Sequence, residues 1–312
     1  MIAPVVLMLA LQSASTGAPP AAVSRDALLA RAADAVKRGN REEARRLLGT
    51  AAERYHSVSA LMQLARLDSE DGRGEAAMRA LREARTLAPN SEDVLTAFAE
   101  LSLTMHTPVA AILTLESLTR MYPDEARHQY LLGVALMRGG DVPAAIEPLR
   151  KANALEPDRP LTLVALGLAY NNRKQYLDAR PLLRRALDLQ PENVDTLAAL
   201  AEAEAGAGDL EAAARDAARA MQRAPANATA NFVIGLVRMA QRRYPEARDA
   251  LLAAAVADPA SPKTEYQLSL VYARLGDQAA SDEHRALYEQ KLRAIEQAVA
   301  ALHRPNGGAT DK

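Results

Sequence analysis

The side chains best suited to chemistry in this sequence are few and scattered. The five histidines, His56, His106, His128, His284 and His303, form no pair at a spacing suited to a metal, and histidines isolated near helix ends are expected to be solvated. Cysteine is absent, which removes thiolate zinc sites, a thiol nucleophile, disulfides and a lipid-bearing cysteine. No glycine-rich phosphate loop, nucleophile elbow or His-Glu-x-x-His pattern occurs, and Asp71 with Gly72 and Gly74 reads as an interhelical turn. Asn227-Ala228-Thr229 fits a glycosylation acceptor, but it falls at a helix start, where a capping Asn is expected. Catalytic, metal-binding and cofactor-binding residues are therefore assigned as none. No cofactor is expected, and the chain reads as non-enzymatic.

Charge narrows the partners. The 38 basic and 39 acidic side chains nearly cancel, so no broad basic surface can release counterions from a phosphate backbone, and no nucleic acid is expected. Basic clusters such as Arg41, Arg45 and Arg46, or Arg242 and Arg243, lie near Glu at helical spacing and read as solvated faces. Ala, Leu, Arg and Glu dominate, Trp is missing, and only two Phe and nine Tyr occur. That balance favours helix over strand and predicts an all-α protein.

At the N-terminus, Ile2 to Leu11 reads IAPVVLMLAL and is followed by QSASTGAPPAA. An apolar run leading into small residues is the layout of a signal peptide, here residues 1–18 with cleavage between 14 and 20, although no Lys or Arg precedes the run. The run is half of what a membrane span needs. The expectation is an exported chain, periplasmic or extracellular, with no integral membrane segment after signal removal. If the apolar run is not a signal, the alternative is a cytoplasmic chain.

The elements that would position any functional side chain announce themselves by a repeat. Proline recurs at Pro89, Pro123, Pro157, Pro191, Pro225 and Pro259, always 34 residues apart. Ala77, Ala111, Ala145, Ala179, Ala213 and Ala247 keep the same frame. In the clearest unit, Leu163, Leu166, Gly167 and Tyr170 fall at i, i+3, i+4 and i+7, one face of a helix, and Ala179, Leu183 and Ala186 mark a second helix with a small-residue face. Between the halves lie turn-prone residues: Gly39 with Asn40, Gly72, Gly139 to Asp141, Asn171 with Asn172, Gly206 to Asp209, and Gly276 with Asp277. Pro108, Pro143 and Pro245 sit near second-helix starts, where a missing N–H costs little, and Pro148 and Pro181 fall inside second helices.

A 34-residue helix-turn-helix unit with these residues resembles the tetratricopeptide repeat family. The resemblance implies a right-handed superhelical solenoid of about eight repeats, at 25–57, 58–91, 92–125, 126–159, 160–193, 194–227, 228–261 and 262–295. A helical polar cap is expected over 296–302 and a disordered tail over 303–312. The family's large first-helix aromatic is replaced by Leu in several units and by Gln129, Asn231 and Glu265 in others. Its second aromatic survives as Tyr170 and Tyr272 but gives way to Asp68, Ser102, Glu204 and Arg238, so those units are expected to pack less tightly.

The resemblance also implies a concave groove lined by first helices. In that register the partner-binding residues are Tyr130, Val134, Met137 and Arg138 of the fourth unit, and Val164, Leu168, Asn171 and Asn172 of the fifth. They continue with Phe232, Leu236 and Met239 of the seventh and Tyr266 and Leu270 of the eighth. Such an apolar trough with a polar rim suits a peptide or protein partner. The family's clamp for a C-terminal carboxylate, paired Lys and Asn on successive first helices, is missing. The expected role is a non-catalytic interaction scaffold or adaptor of the cell envelope. The alternatives are a structural or assembly subunit docking through its ends, or a recruiting module for a separately encoded enzyme.

Overall fold

A computed structural model describes residues 23–303, and among these every regular element is an α-helix. First helices are α1 (Arg25–Lys37), α3 (Val58–Glu70), α5 (Glu92–Thr104), α7 (Ala126–Arg138), α9 (Pro160–Asn172), α11 (Val194–Gly206), α13 (Ala228–Ala240) and α15 (Pro262–Leu275). Each is followed by a second helix: α2 (Arg41–Tyr55), α4 (Gly74–Leu87), α6 (Pro108–Met121), α8 (Val142–Leu155), α10 (Tyr176–Leu189), α12 (Leu210–Arg223), α14 (Tyr244–Ala257) and α16 (Gln278–Leu302). The expected signal segment and residues 304–312 lie outside the described residues.

Local chemistry sets the boundaries. Ala88, Tyr122, Glu156, Gln190, Ala224 and Asp258 each precede a periodic proline, and each is a second-helix C-cap with ψ between 70° and 86°. The proline ring excludes the helical conformation from its predecessor, so the helix stops there. Ser24, Ser57, Ser91, Asn193 and Asn227 cap first helices by accepting a backbone N–H three residues on, and Asn40, Asp141, Asp209 and Asp277 do the same for second helices. Pro148 and Pro181 sit within α8 and α10, which continue through them.

Each hairpin turn holds one residue in the left-handed region: Gly39, Gly72, His106, Gly140, Lys174, Gly208, Arg242 and Gly276, with φ from 55° to 89°. The fifth turn differs from expectation. Asn171 and Asn172 are the last residues of α9, and Lys174 takes the left-handed position.

The chain divides into two compact units at Ala88 and Pro89. In the first, α1 to α4 pack in sequence around Leu28, Leu48, Leu61 and Leu81. Arg45 of α2 is nearly buried, and its Nε stands 2.8 Å from the buried Asp68 of α3, with Glu42 and Asp71 also paired to it. Burial alone would lower the Arg45 pKa, but Asp68, Glu42 and Asp71 outweigh it and raise it. Position 68, expected to be loosely packed, instead holds a buried ion pair.

In the second unit, α5 to α16, small residues set the closeness of the hairpins. Gly133 faces Leu149, Gly167 faces Leu183, and Gly235 faces Leu251; a methyl group at Gly167 would lie 2.6 Å from Leu183 Cγ. The sixth repeat puts Ala201 and Ala217 at the same two places, both fully buried. First helices also touch one another, α7 with α9, α9 with α11, α11 with α13 and α13 with α15, so they form the inner layer of the curve.

The last helix departs from the expected polar cap. α16 is helical to Leu302, but Leu302 packs against the core around the fourth repeat. His303, expected to begin a disordered tail, has its Nε2 2.5 Å from Asp141 Oδ2 in the turn after α7.

Candidate functional site

The inner layer of the second unit carries the residues expected to hold a partner, and the structure sorts them into open and closed. On α7, Tyr130, Val134 and Met137 are half-buried against the core, while Arg138 is exposed and its guanidinium donates to the Leu103 carbonyl at 2.8 Å. The Arg159 guanidinium lies 5.1 Å from the Tyr130 ring centre, a cation–π arrangement. Burial pushes the Tyr130 phenol above its usual pKa, against the opposing charges of Arg159 and Arg138.

The most open apolar stripe runs along α9. Leu168 is 37% exposed, Val164 is half-buried, and Leu161, not anticipated, is 56% exposed. These three fall at i, i+3 and i+7, one face of the helix. Asn172 is exposed at its end. On α15, Tyr266 is 43% exposed with its ring 5.3 Å from Tyr288, and Leu270 is half-buried.

Two expected groove residues are closed off. Asn171 is buried, and its amide donates to the Ala199 carbonyl at 2.8 Å, tying α9 to α11 instead of offering a hydrogen bond to a ligand. Phe232 is also buried, with Lys263 Nζ 4.8 Å from its ring centre and paired to Glu202 of α11. The inner layer curves tightly enough there for a lysine of the eighth repeat to reach the sixth. Phe232 is thereby packing, and its neighbours Leu236 and Met239 are half-buried against the same core.

Substituted aromatic positions form a second feature. Gln129 and Asn231 are buried and donate to the carbonyls of Pro123 and Pro225, six residues upstream, so each amide closes the loop entering its own repeat. Glu265 is buried between Lys291 and His284, each 2.6 Å away. Burial alone would raise its carboxyl, but hydrogen bonds with those two groups outweigh it and hold the pKa low. Glu204 has no exposed side-chain surface and meets Arg184 at 2.9 Å. Burial, helped by the charge of Asp216, pushes its carboxyl up to about 6. The 34-residue frame was the available signal, because a polar residue at a core position must be buried with a partner.

The histidines also depart from expectation. His128 is buried, with Nε2 3.1 Å from Thr96 Oγ1, because its side of α7 packs toward α5; burial pushes its imidazole below the usual pKa. Among the described residues, no three His, Asp or Glu side chains are grouped to hold a metal ion, and no helix is long and apolar enough to cross a membrane.

Paired helices stacked through first-helix contacts define a helical-repeat protein. The sequence model of the tetratricopeptide repeat matches residues 108–160, 164–228 and 199–262. The chain belongs to the tetratricopeptide repeat family. A crystal structure of a tetratricopeptide repeat protein from Parabacteroides merdae ATCC 43184 matches with TM-score 0.59 and 15% identity, over 79% of this chain and 98% of that one. A chain of the APC/C hetero-tetramer Cut9–Hcn1 matches with TM-score 0.57 and 18% identity, over 79% of this chain and 49% of that one. Human IFIT1, solved as a dimer with m7Gppp-AAAA, matches with TM-score 0.56 and 17% identity, over 90% of this chain and 71% of that one. Comparison of the sequence with curated proteins finds no match. The family and fold are those of protein–protein interaction scaffolds, which are generally non-catalytic.

Proposed function

We propose that this protein is a non-catalytic scaffold of the cell envelope that holds a peptide or protein partner against the inner face of its second unit. The observation that carries the reading is the stripe of Leu161, Val164 and Leu168 on α9, left open where neighbouring first helices are packed. Exposed apolar surface of this kind is retained where a partner covers it. Arg138 and Asn172 supply a polar rim, and Tyr266 a second apolar anchor. Export rests on the apolar run Ile2 to Leu11 and the small residues after it, a segment outside the described residues.

The test is capture of a protein from the envelope fraction by the full chain and by single variants. Leu168→Glu and Tyr266→Ala should each weaken capture at least tenfold with helicity unchanged. Leu177→Ser, at a side chain 71% exposed on second helix α10, should leave it intact. Equal capture by all four chains would sink the proposal. Phe232 is unsuitable as a probe, because truncating a buried Phe costs about 3–5 kcal/mol of stability and would confuse unfolding with lost binding.

A further inference from the structure

The second helices of the third to seventh repeats are 14 residues long, whereas α16 has 25. The eleven additional residues reach back to the turn between α7 and α8. Ile295, Val299 and Leu302 fall at i, i+4 and i+7 and form one edge of the extension, while Arg293, Glu296, Gln297 and Ala300 are exposed. The seat is made of glycine. A methyl group at Gly139 would lie 2.7 Å from Leu302 Cδ1, and one at Gly140 would lie 3.4 Å from both Ile295 Cγ2 and Val299 Cγ2.

Gly140, at φ 88°, is explained by its turn, but Gly139 has an ordinary helical backbone at φ −75° and ψ −7°. What Gly139 lacks is room for a side chain beneath Leu302. A polar contact holds the end of the helix as well, His303 Nε2 lying 2.5 Å from an Asp141 oxygen, while the other Asp141 oxygen caps α8 by accepting the Ala144 N–H at 3.1 Å. Stripe, seat and polar contact match one another across more than 150 residues of sequence. The match holds little surface, since Ile295 stays 37% exposed and the His303 side chain 61%. A peripheral element with so few buried contacts opens before the repeat core does.

We propose that residues 292–303 are a releasable clasp that fastens the eighth repeat to the fourth, so that the inner face between them exchanges between a closed and an open state. The bearing of this exchange on partner entry rests on the binding-face reading above; the clasp itself does not. Because the chain has no native cysteine, spin labels at Glu147→Cys on α8 and Gln297→Cys on α16 report the distance across the clasp without interference.

In the full-length chain, double electron–electron resonance should give a dominant short separation with a minor longer one. Gly139→Met, which fills the seat, and Leu302→Asp, which spoils the stripe, should each shift the population to the longer separation, greater by on the order of 10 Å, the scale of an eleven-residue helix end. Gly49→Ala, whose added methyl meets nothing within 4 Å, should leave it unchanged. Circular dichroism should show equal helicity in all of these chains. A single separation with no second component in the unaltered chain, or a distribution indifferent to both seat and stripe, overturns the clasp. If both variants open the clasp but capture partner no faster than the unaltered chain, the clasp stands and its control of entry is overturned. If no chain captures a partner while the distances behave as stated, the binding-face reading fails and the clasp does not.

Discussion

Glu204 offers the sharpest quantitative test of how the repeat frame is filled. It occupies the position that Tyr170 holds one repeat earlier, so its carboxyl is carried into the core whatever its charge. Its pKa rises from the ordinary 4.5 to about 6 because burial penalises the carboxylate, with Asp216 adding to the effect and Arg184 opposing it. A carboxyl raised on folding favours the folded state fully below its unfolded value and loses that contribution as pH climbs through the folded value. The window is therefore pH 4.5 to about 6. At ~1.36 kcal/mol per pH unit, the loss by pH 7.5 is about 2 kcal/mol. Glu204→Gln keeps the shape and can still accept a hydrogen bond from Arg184, but it has nothing to ionise. Relative to the unaltered chain, the variant should gain about 2 kcal/mol of stability between pH 4 and pH 7.5. Urea unfolding followed by circular dichroism across that range measures the difference. A variant-minus-parent difference that stays flat with pH, or falls as pH rises, refutes the reasoning.

Three further outcomes follow from the packing. Gly167→Ala sets a gain of about 1 kcal/mol in helix propensity against overpacking of about 1–3 kcal/mol on Leu183, so thermal unfolding should show net loss, whereas Gly49→Ala should gain about 1 kcal/mol. Arg242→Gly relieves a left-handed residue at φ 62° and should raise stability by about 1 kcal/mol in the same assay, while Arg242→Ala should not. Asp68→Ala removes the buried one of the three carboxylates paired with Arg45 and should cost about 1.5–3 kcal/mol, measured by urea unfolding of the full chain.

Most of the repeat architecture was legible in the sequence because its causes are local. A proline forbids helix at the residue before it, so six prolines in one frame mark six helix ends, and Asn227 at a helix start can be recognised as a cap without reference to the rest of the chain. The same frame placed the thirteen candidate binding residues on first helices. It could not say which of them would be open. Asn171 shares its repeat position with Met137 and Met239, and Phe232 with Val164, yet Asn171 is buried by its bond to Ala199 of the next repeat, and Phe232 by the curvature that brings Lys263 to Glu202.

The clasp lies further still from what a sequence displays. Ile295, Val299 and Leu302 show only an apolar edge on a helix, and Gly139 shows only a turn-prone residue beside Gly140. That one edge rests on the other is decided by the accumulated rotation of four repeats, each adding a small angle set by the side chains between its helices. Helix starts, helix ends and the repeat itself were determined by short-range chemistry, which the sequence records in order. The meeting of the last helix with the fourth repeat depends on a sum of those angles, and only the tertiary structure carries it out.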